Sequence, residues 1–174
     1  MKFLILLLLP FSSFAFTVNG NYQLKEAELN YHVHYLYKHA EGKSSQIKGK
    51  LICKKSHCDI IVASPIKSFT SKDNNRDIKM RLFAKAATYP MVMVKASTDA
   101  HFSESKKLDL IVSFAGKEKT YKQVDFKISG TEKSFNAKGT LPFKLEDFDV
   151  ERPSLMGISI KEIIPVDIDL TWTL

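Results

Sequence analysis

The chain is poor in the residues that punctuate or staple a fold. Its 174 residues include only seven glycines, six prolines, two cysteines and one tryptophan. No Pro/Gly-rich linker, internal repeat or low-complexity stretch divides it, so one domain is expected. After the first 15 residues no apolar run approaches the roughly 20 residues that a helix needs to span a bilayer. There is no glycine loop shaped for phosphate and no zinc-ligand spacing. No serine sits in a glycine-framed elbow, and Ser154 has no evident His or Asp partner. The sequence therefore offers no positive sign of an enzyme, and no catalytic residue, cofactor or metal is expected.

The amino terminus carries an address. Lys2 is followed by the unbroken apolar run Phe3 to Leu9, then Pro10, then the small residues of Ser13-Phe14-Ala15. This is the tripartite layout of a secretory signal, with cleavage expected after Ala15. The run is too short for a membrane anchor and no cysteine follows it, so a lipid-anchored lipoprotein is not expected. Residues 1–15 are read as a signal peptide and 16–174 as a single domain. The destination is the periplasm or the outside of the cell. The formal charge is +7 and the lysines are scattered. That favours a solvated surface able to meet an anionic membrane surface, whereas nucleic acid is a partner an exported protein seldom meets.

The strongest signal in the remainder is alternation of period two, the mark of strands with one buried face. Leu29, Tyr31, Val33, Tyr35 and Tyr37 alternate with Asn30, His32, His34 and Lys38. Ile47, Gly49, Leu51 and Cys53 form a second set, and Cys58, Ile60 and Val62 a third. Leu108 to Phe114, Val124 to Ile128, Phe135 to Leu145 and Val166 to Leu174 repeat the pattern, with a less regular strand between Met91 and Phe102. One segment breaks the period. Asp73-Asn74-Asn75 has the chemistry of a helix cap, and Arg76 to about Ala87 places Ile78, Leu82 and Phe83 at helical spacing before Tyr89-Pro90. Long strands with one apolar face must close into a sandwich or a barrel, and short turns between regular strands favour an up-and-down barrel. The fold expected is all-β, an antiparallel barrel of about eight strands with one short α-helix. Gly49 and Gly139 fall on buried faces, where a glycine bends the strand or leaves room inside.

Cys53 and Cys58 flank the polar turn Lys-Lys-Ser-His between two apolar runs, each on its strand's buried parity. In an oxidising compartment a disulfide closing this hairpin is expected. The alternatives are a redox pair, for which a four-residue gap is wrong, and a metal site, for which only His57 is adjacent.

The stretch Pro65-Ile-Lys-Ser-Phe-Thr-Ser-Lys-Asp-Asn-Asn-Arg76-Asp77-Ile-Lys-Met80, followed by Tyr89-Pro90, resembles the YceI-like family of exported bacterial proteins. The shared pattern is a strand ending in Ser-Phe, a polar turn, Arg-Asp opening a helix and Tyr-Pro opening the next strand. Further points of likeness are Lys38-His39 ending an early strand, Gly49, Gly116 in a turn, and Asp147-Phe148 in a late loop. The likeness covers about residues 20–174. Lys79 stands where the family often has histidine, and the cysteine hairpin is not general to it. The resemblance implies a lipocalin-like barrel with the helix across it. It implies an interior that takes a long amphiphilic lipid such as a polyisoprenoid, and no shared catalytic motif.

On this reading the chain binds an apolar or amphiphilic lipid inside the barrel, as a monomer or dimer. The alternative is a barrel without ligand, acting in stress response or on a protein partner. Parity and resemblance together nominate Tyr31, Val33, Tyr35, Leu51, Ile60, Val112, Phe114, Phe126, Phe135, Phe143, Ile168 and Trp172 as the interior wall. Parity alone marks them as inward-facing, without separating cavity from core. His32 and His34 share the polar face of one strand, with no third metal ligand identifiable, and His39 is placed at that strand's end on the other parity. Asp77 is expected to meet the helix dipole in the first turn, Arg76 to tie the preceding loop, and Asp167 and Asp169 to be solvated.

Overall fold

The computed structural model describes residues 15–155 and 157–174. All but the last residue of the expected signal segment therefore lies outside the described residues. In chain order the elements are β1 (Ala15–Thr17), β2 (Gly20–Tyr35), β3 (Lys38–Ser44), β4 (Lys48–Lys54), β5 (His57–Pro65), α1 (Asn74–Phe83), β6 (Met91–Asp99), β7 (His101–Ser103), β8 (Ser105–Phe114), β9 (Lys117–Gly130), β10 (Ser134–Phe143), β11 (Ser154–Leu155), β12 (Ile158–Ser159) and β13 (Ile164–Thr173). Strands β2, β4, β5, β6, β8, β9, β10 and β13 pair in that order, and β13 returns to β2. Every pairing is antiparallel, so the expected eight-stranded barrel is closed. Closure leaves no barrel strand with an unpaired edge. β3 adds to the outer half of β2 as a flap.

Alternation is what makes these strands form this way. Leu108, Leu110 and Val112, then Val124, Phe126 and Ile128, then Phe135, Ala137, Leu141 and Phe143 are all buried. In β2 the pattern changes parity partway. Leu24 pairs with Trp172 but Glu26 pairs with Thr171, so Lys25 is an extra residue. Tyr22 and Leu24 pack inward before this bulge, and Ala27, Leu29 and Tyr31 pack inward after it. A one-residue insertion turns every later side chain to the opposite face.

Three expectations need correction. The first strand does not run through Tyr37. It turns at Leu36, whose φ is 48°, and Tyr37 is wholly exposed. Lys38 and His39 thus open β3 rather than end β2, and His39 lies directly opposite His34. The alternation of Tyr35 with Tyr37 masked a turn that contains no glycine or asparagine. The helix ends earlier than expected, because Lys85 takes a left-handed φ of 52°. Its start is as read, with Asp73 Oδ1 accepting a hydrogen bond from the Arg76 N–H at 3.0 Å. Ile78 and Leu82, 45% and 72% exposed, do not border the barrel interior, whereas Phe83, 40% exposed, does. Gly49 and Gly139 leave no room inside. A Cβ at Gly49 would meet Leu24 Cδ1 at 2.7 Å, and one at Gly139 would meet the Asp125 carbonyl oxygen at 2.8 Å.

One end of the barrel is solid. Phe135 packs its ring on Phe16, Tyr22 and Phe102 at centroid distances of 5.6, 5.7 and 5.3 Å. The Tyr22 hydroxyl, at the edge of this cluster, donates to the Glu132 carbonyl at 2.6 Å. Cys53 and Cys58 are bonded across the β4–β5 hairpin at a Cα separation of 4.1 Å, both buried beside this cluster. Reduction is expected to lower stability by about 2 kcal/mol through the loop it releases. Urea denaturation with and without reductant measures this, and unchanged midpoints would contradict it.

Candidate functional site

The other end is hollow. A cavity of about 610 Å³ lies between the outer halves of the strands, within the range of about 300–1,000 Å³ typical of small-molecule sites. Its wall comes from Leu29, Tyr31, Val33 and Tyr35 on β2, Val92 and Val94 on β6, Val112 and Phe114 on β8, Leu141 and Phe143 on β10, and Ile164, Val166 and Ile168 on β13. Ile66 and Phe69 roof it together with α1, which contributes Arg76, Lys79, Met80 and Phe83. Those four fall at i, i+3, i+4 and i+7, one stripe of a helix. A larger hollow, about 1240 Å³, lies on the outer faces of β2, β8, β9, β10 and β13. Its lining includes Glu28, Glu104, Asp125, Lys127, Lys138, Asp167 and Asp169, so charged and polar residues dominate it.

Of the nominated interior residues, Tyr31, Val33, Tyr35, Val112, Phe114, Phe143 and Ile168 line the cavity. Leu51, Phe126, Phe135 and Trp172 are buried in the solid part, and Ile60 packs against it. These five face inward but sit too deep. Val92, Val94, Leu141, Met80 and Phe83 were not nominated. The alternation after Pro90 and the i, i+3, i+4, i+7 stripe from Arg76 are the signals that point to them.

What seats α1 over the mouth is Asp77, only 4% exposed. Its carboxylate accepts from the Ser71 N–H at 2.9 Å, the Ser71 hydroxyl at 2.6 Å and the Thr70 hydroxyl at 3.0 Å. Thr70 in turn exchanges two backbone hydrogen bonds with Lys43 of β3, each 3.0 Å. The chain is therefore strapped from β3 through the loop to the helix. Arg76 adds longer contacts, 3.5 Å to Asp73 and to the Ser71 carbonyl. Asp77 does more than meet the helix dipole: it satisfies a loop.

Burial pushes the Asp77 carboxyl up, but the hydrogen bonds from Ser71 and Thr70 and the charge of Arg81 outweigh it, holding the group below the ordinary aspartate range. A depressed folded-state value means the contribution is complete above the unfolded value of about 3.9 and is lost as pH falls through the folded one. Asp77→Ala is expected to cost about 2–3 kcal/mol at neutral pH. Its difference from the parent should shrink below pH 4, as read by urea denaturation across pH. A difference that is constant with pH would contradict it.

Tyr31 stands beside Asp77 on the cavity wall. Burial first, then the Asp77 charge, raise its phenol above the ordinary value despite Arg76, so it is a protonated donor at neutral pH. Gly42 of β3 lies against the Tyr31 ring, where any Cβ would collide. The late loop closes the opposite wall: Phe148, fully buried, stacks on Phe143 at 5.0 Å and meets Phe114 edge-on at 5.5 Å.

Three histidines, His32, His34 and His39, cluster at this end, and His39 also borders the cavity. His39 lies 4.8 Å from His34 and 5.5 Å from His32 between ring centroids. His32 Nε2 is 2.8 Å from the Asp167 carboxylate. No trio of His, Cys, Asp or Glu among the described residues is arranged to hold a metal ion. Asp169 accepts from Asn136 at 2.6 Å and pairs with Lys138 at 2.8 Å, again on the outer face.

Comparison with solved structures finds this barrel in several bacterial proteins. A polyisoprenoid-binding domain from Saccharophagus degradans, implicated in plant cell wall breakdown, superposes with a TM-score of 0.72 at 14% identity, covering 87% of this chain and 97% of that one. BcnA from Burkholderia cenocepacia gives 0.70 at 13% identity, over 83% and 95%. The YCEI protein of Campylobacter jejuni gives 0.65 at 17%, over 81% and 88%. At these identities the likeness establishes the fold. No match is found among curated proteins. The YceI-like domain model matches residues 17–172, nearly all of the described barrel, and the chain belongs to the YceI-like family.

Proposed function

We propose that this protein is an exported carrier, not an enzyme, that sequesters the apolar chain of a polyisoprenoid-type lipid in its barrel. The observation that carries this reading is the apolar-walled cavity of about 610 Å³ at one end of an otherwise packed barrel. The polyisoprenoid-binding domain of the same fold supports the ligand class. Affinity arises from removing the chain from water, at roughly 25 cal/mol per Å² before ordering costs. Export is supported by the charged, apolar and small-residue succession of residues 1–15 and by the Cys53–Cys58 bridge, which persists in oxidising compartments. Loading from an anionic membrane surface is supported by the formal charge of +7 and by Lys38, Arg76 and Lys79 at the mouth.

The experiment is mass spectrometry of lipids that co-purify with protein taken from its native host. One long-chain amphiphile per protein is the result expected. Protein that arrives free of lipid and takes up no added polyisoprenoid would end the proposal. Amino-terminal sequencing of that protein tests export, which predicts a first residue near Phe16.

A further inference from the structure

We infer that the ligand's headgroup is an anion, a phosphate or a carboxylate, and that Lys38, Arg76 and Lys79 receive it; this rests on the carrier reading above. The side chains that line the cavity include these cations and His39, and no aspartate or glutamate. Lys38 and Lys79 form no ion pair with any carboxylate among the described residues. Arg76 has one ion pair among the described residues, the long, exposed contact to Asp73 at 3.5 Å, besides its 3.5 Å contact to the Ser71 carbonyl. The nearby Asp77 is hydrogen-bonded by Thr70 and Ser71 and forms no ion pair with any of the three.

The three cations come from two elements that border the same cavity. Arg76 and Lys79 are one turn apart on the α1 stripe that faces the cavity, ahead of Met80 and Phe83. Lys38 opens β3 directly opposite Tyr35, another wall residue. The protonated Tyr31 phenol on the same wall adds a neutral donor. All three cations are exposed at the rim, so a neutral headgroup gains no charge pairing from them and a cationic one is repelled. A phosphate or carboxylate turns the same groups into charge-assisted hydrogen bonds.

The test uses the folded protein and ligands that share one hexadecyl-length chain: hexadecyl phosphate, palmitate and hexadecanol, each displacing a fluorescent fatty probe. At low salt the phosphate and the palmitate should compete at least about tenfold better than the alcohol, the scale of one or two hydrogen bonds to charged groups. Added salt should narrow the gap. In Lys38→Met/Lys79→Met, and in the variant that also carries Arg76→Met, the gap should close because the phosphate and the palmitate lose their advantage over hexadecanol. Retained hexadecanol binding shows that the cavity still forms. Equal affinity of alcohol and phosphate in the parent, or a gap that survives the substitutions, would overturn the assignment and leave chain binding intact. Inorganic phosphate should displace nothing; displacement by it would make this a site for a free anion and overturn the headgroup reading. If no hexadecyl compound binds, the carrier reading fails and this inference falls with it.

Discussion

Phe135→Ala is expected to lower the unfolding free energy by about 4 kcal/mol, a large share of the stability of a domain this size. Phe135 is 2% exposed and touches Phe16, Tyr22 and Phe102 with its ring. It also pairs directly with Trp172 across the β10–β13 ladder. Truncation removes its apolar area and leaves a void that its neighbours cannot fill. Those neighbours are themselves held by the barrel ladder and, near Tyr22, by the hydrogen bond to Glu132. Chemical denaturation followed by tryptophan fluorescence measures the loss, since Trp172 is the sole tryptophan and reports on this region. A loss under about 1 kcal/mol would mean that the deep end is not packed as described.

Val92→Phe with Val94→Phe should have the opposite signature. The two valines share one face of β6, both are half-buried and both line the cavity. Added rings there enter empty space rather than occupied core, so stability should change by less than about 1 kcal/mol, short of the 1–3 that overpacking a filled site costs. The space is what the lipid chain would use. Affinity for a long-chain amphiphile should therefore fall at least hundredfold, a loss of about 2.7 kcal/mol. Probe displacement and urea denaturation on the same preparation read both quantities. Undiminished binding would place the ligand elsewhere. A collapse in stability would show that the cavity is smaller than its walls indicate.

How far these features were legible differs from element to element. The strands β8, β9, β10 and β13 could be read directly, because each buries one face and the pleat imposes a period of two. The Cys53–Cys58 pairing was equally legible, since the two residues lie on the buried parity of adjoining runs with a polar turn between. The first half of β2 was not, because the bulge at Lys25 moves its inward positions from even to odd numbers. The turn at Leu36-Tyr37 hid behind an aromatic alternation and lacks the residues that normally mark a tight turn. On α1, apolarity pointed to Ile78, Leu82 and Phe83, of which Phe83 alone is on the face toward the barrel, with Arg76, Lys79 and Met80. Axial depth was the least legible quantity. Ile168 and Trp172 share one face of one strand, yet the first lines the cavity and the second is sealed in core. Parity distinguishes inside from outside and carries no information about position along the barrel axis.

The aromatic cluster around Phe135 does more than stabilise the barrel. It closes the hollow at the deep end, so the cavity among the described residues opens toward the end that α1 covers. On the carrier reading proposed above, a long amphiphile travels tail leading, because the sealed end offers nothing to solvate a polar terminus. Its head is then the last part to enter and the first to leave, and a chain with polar groups at both ends would be the wrong cargo for this vessel.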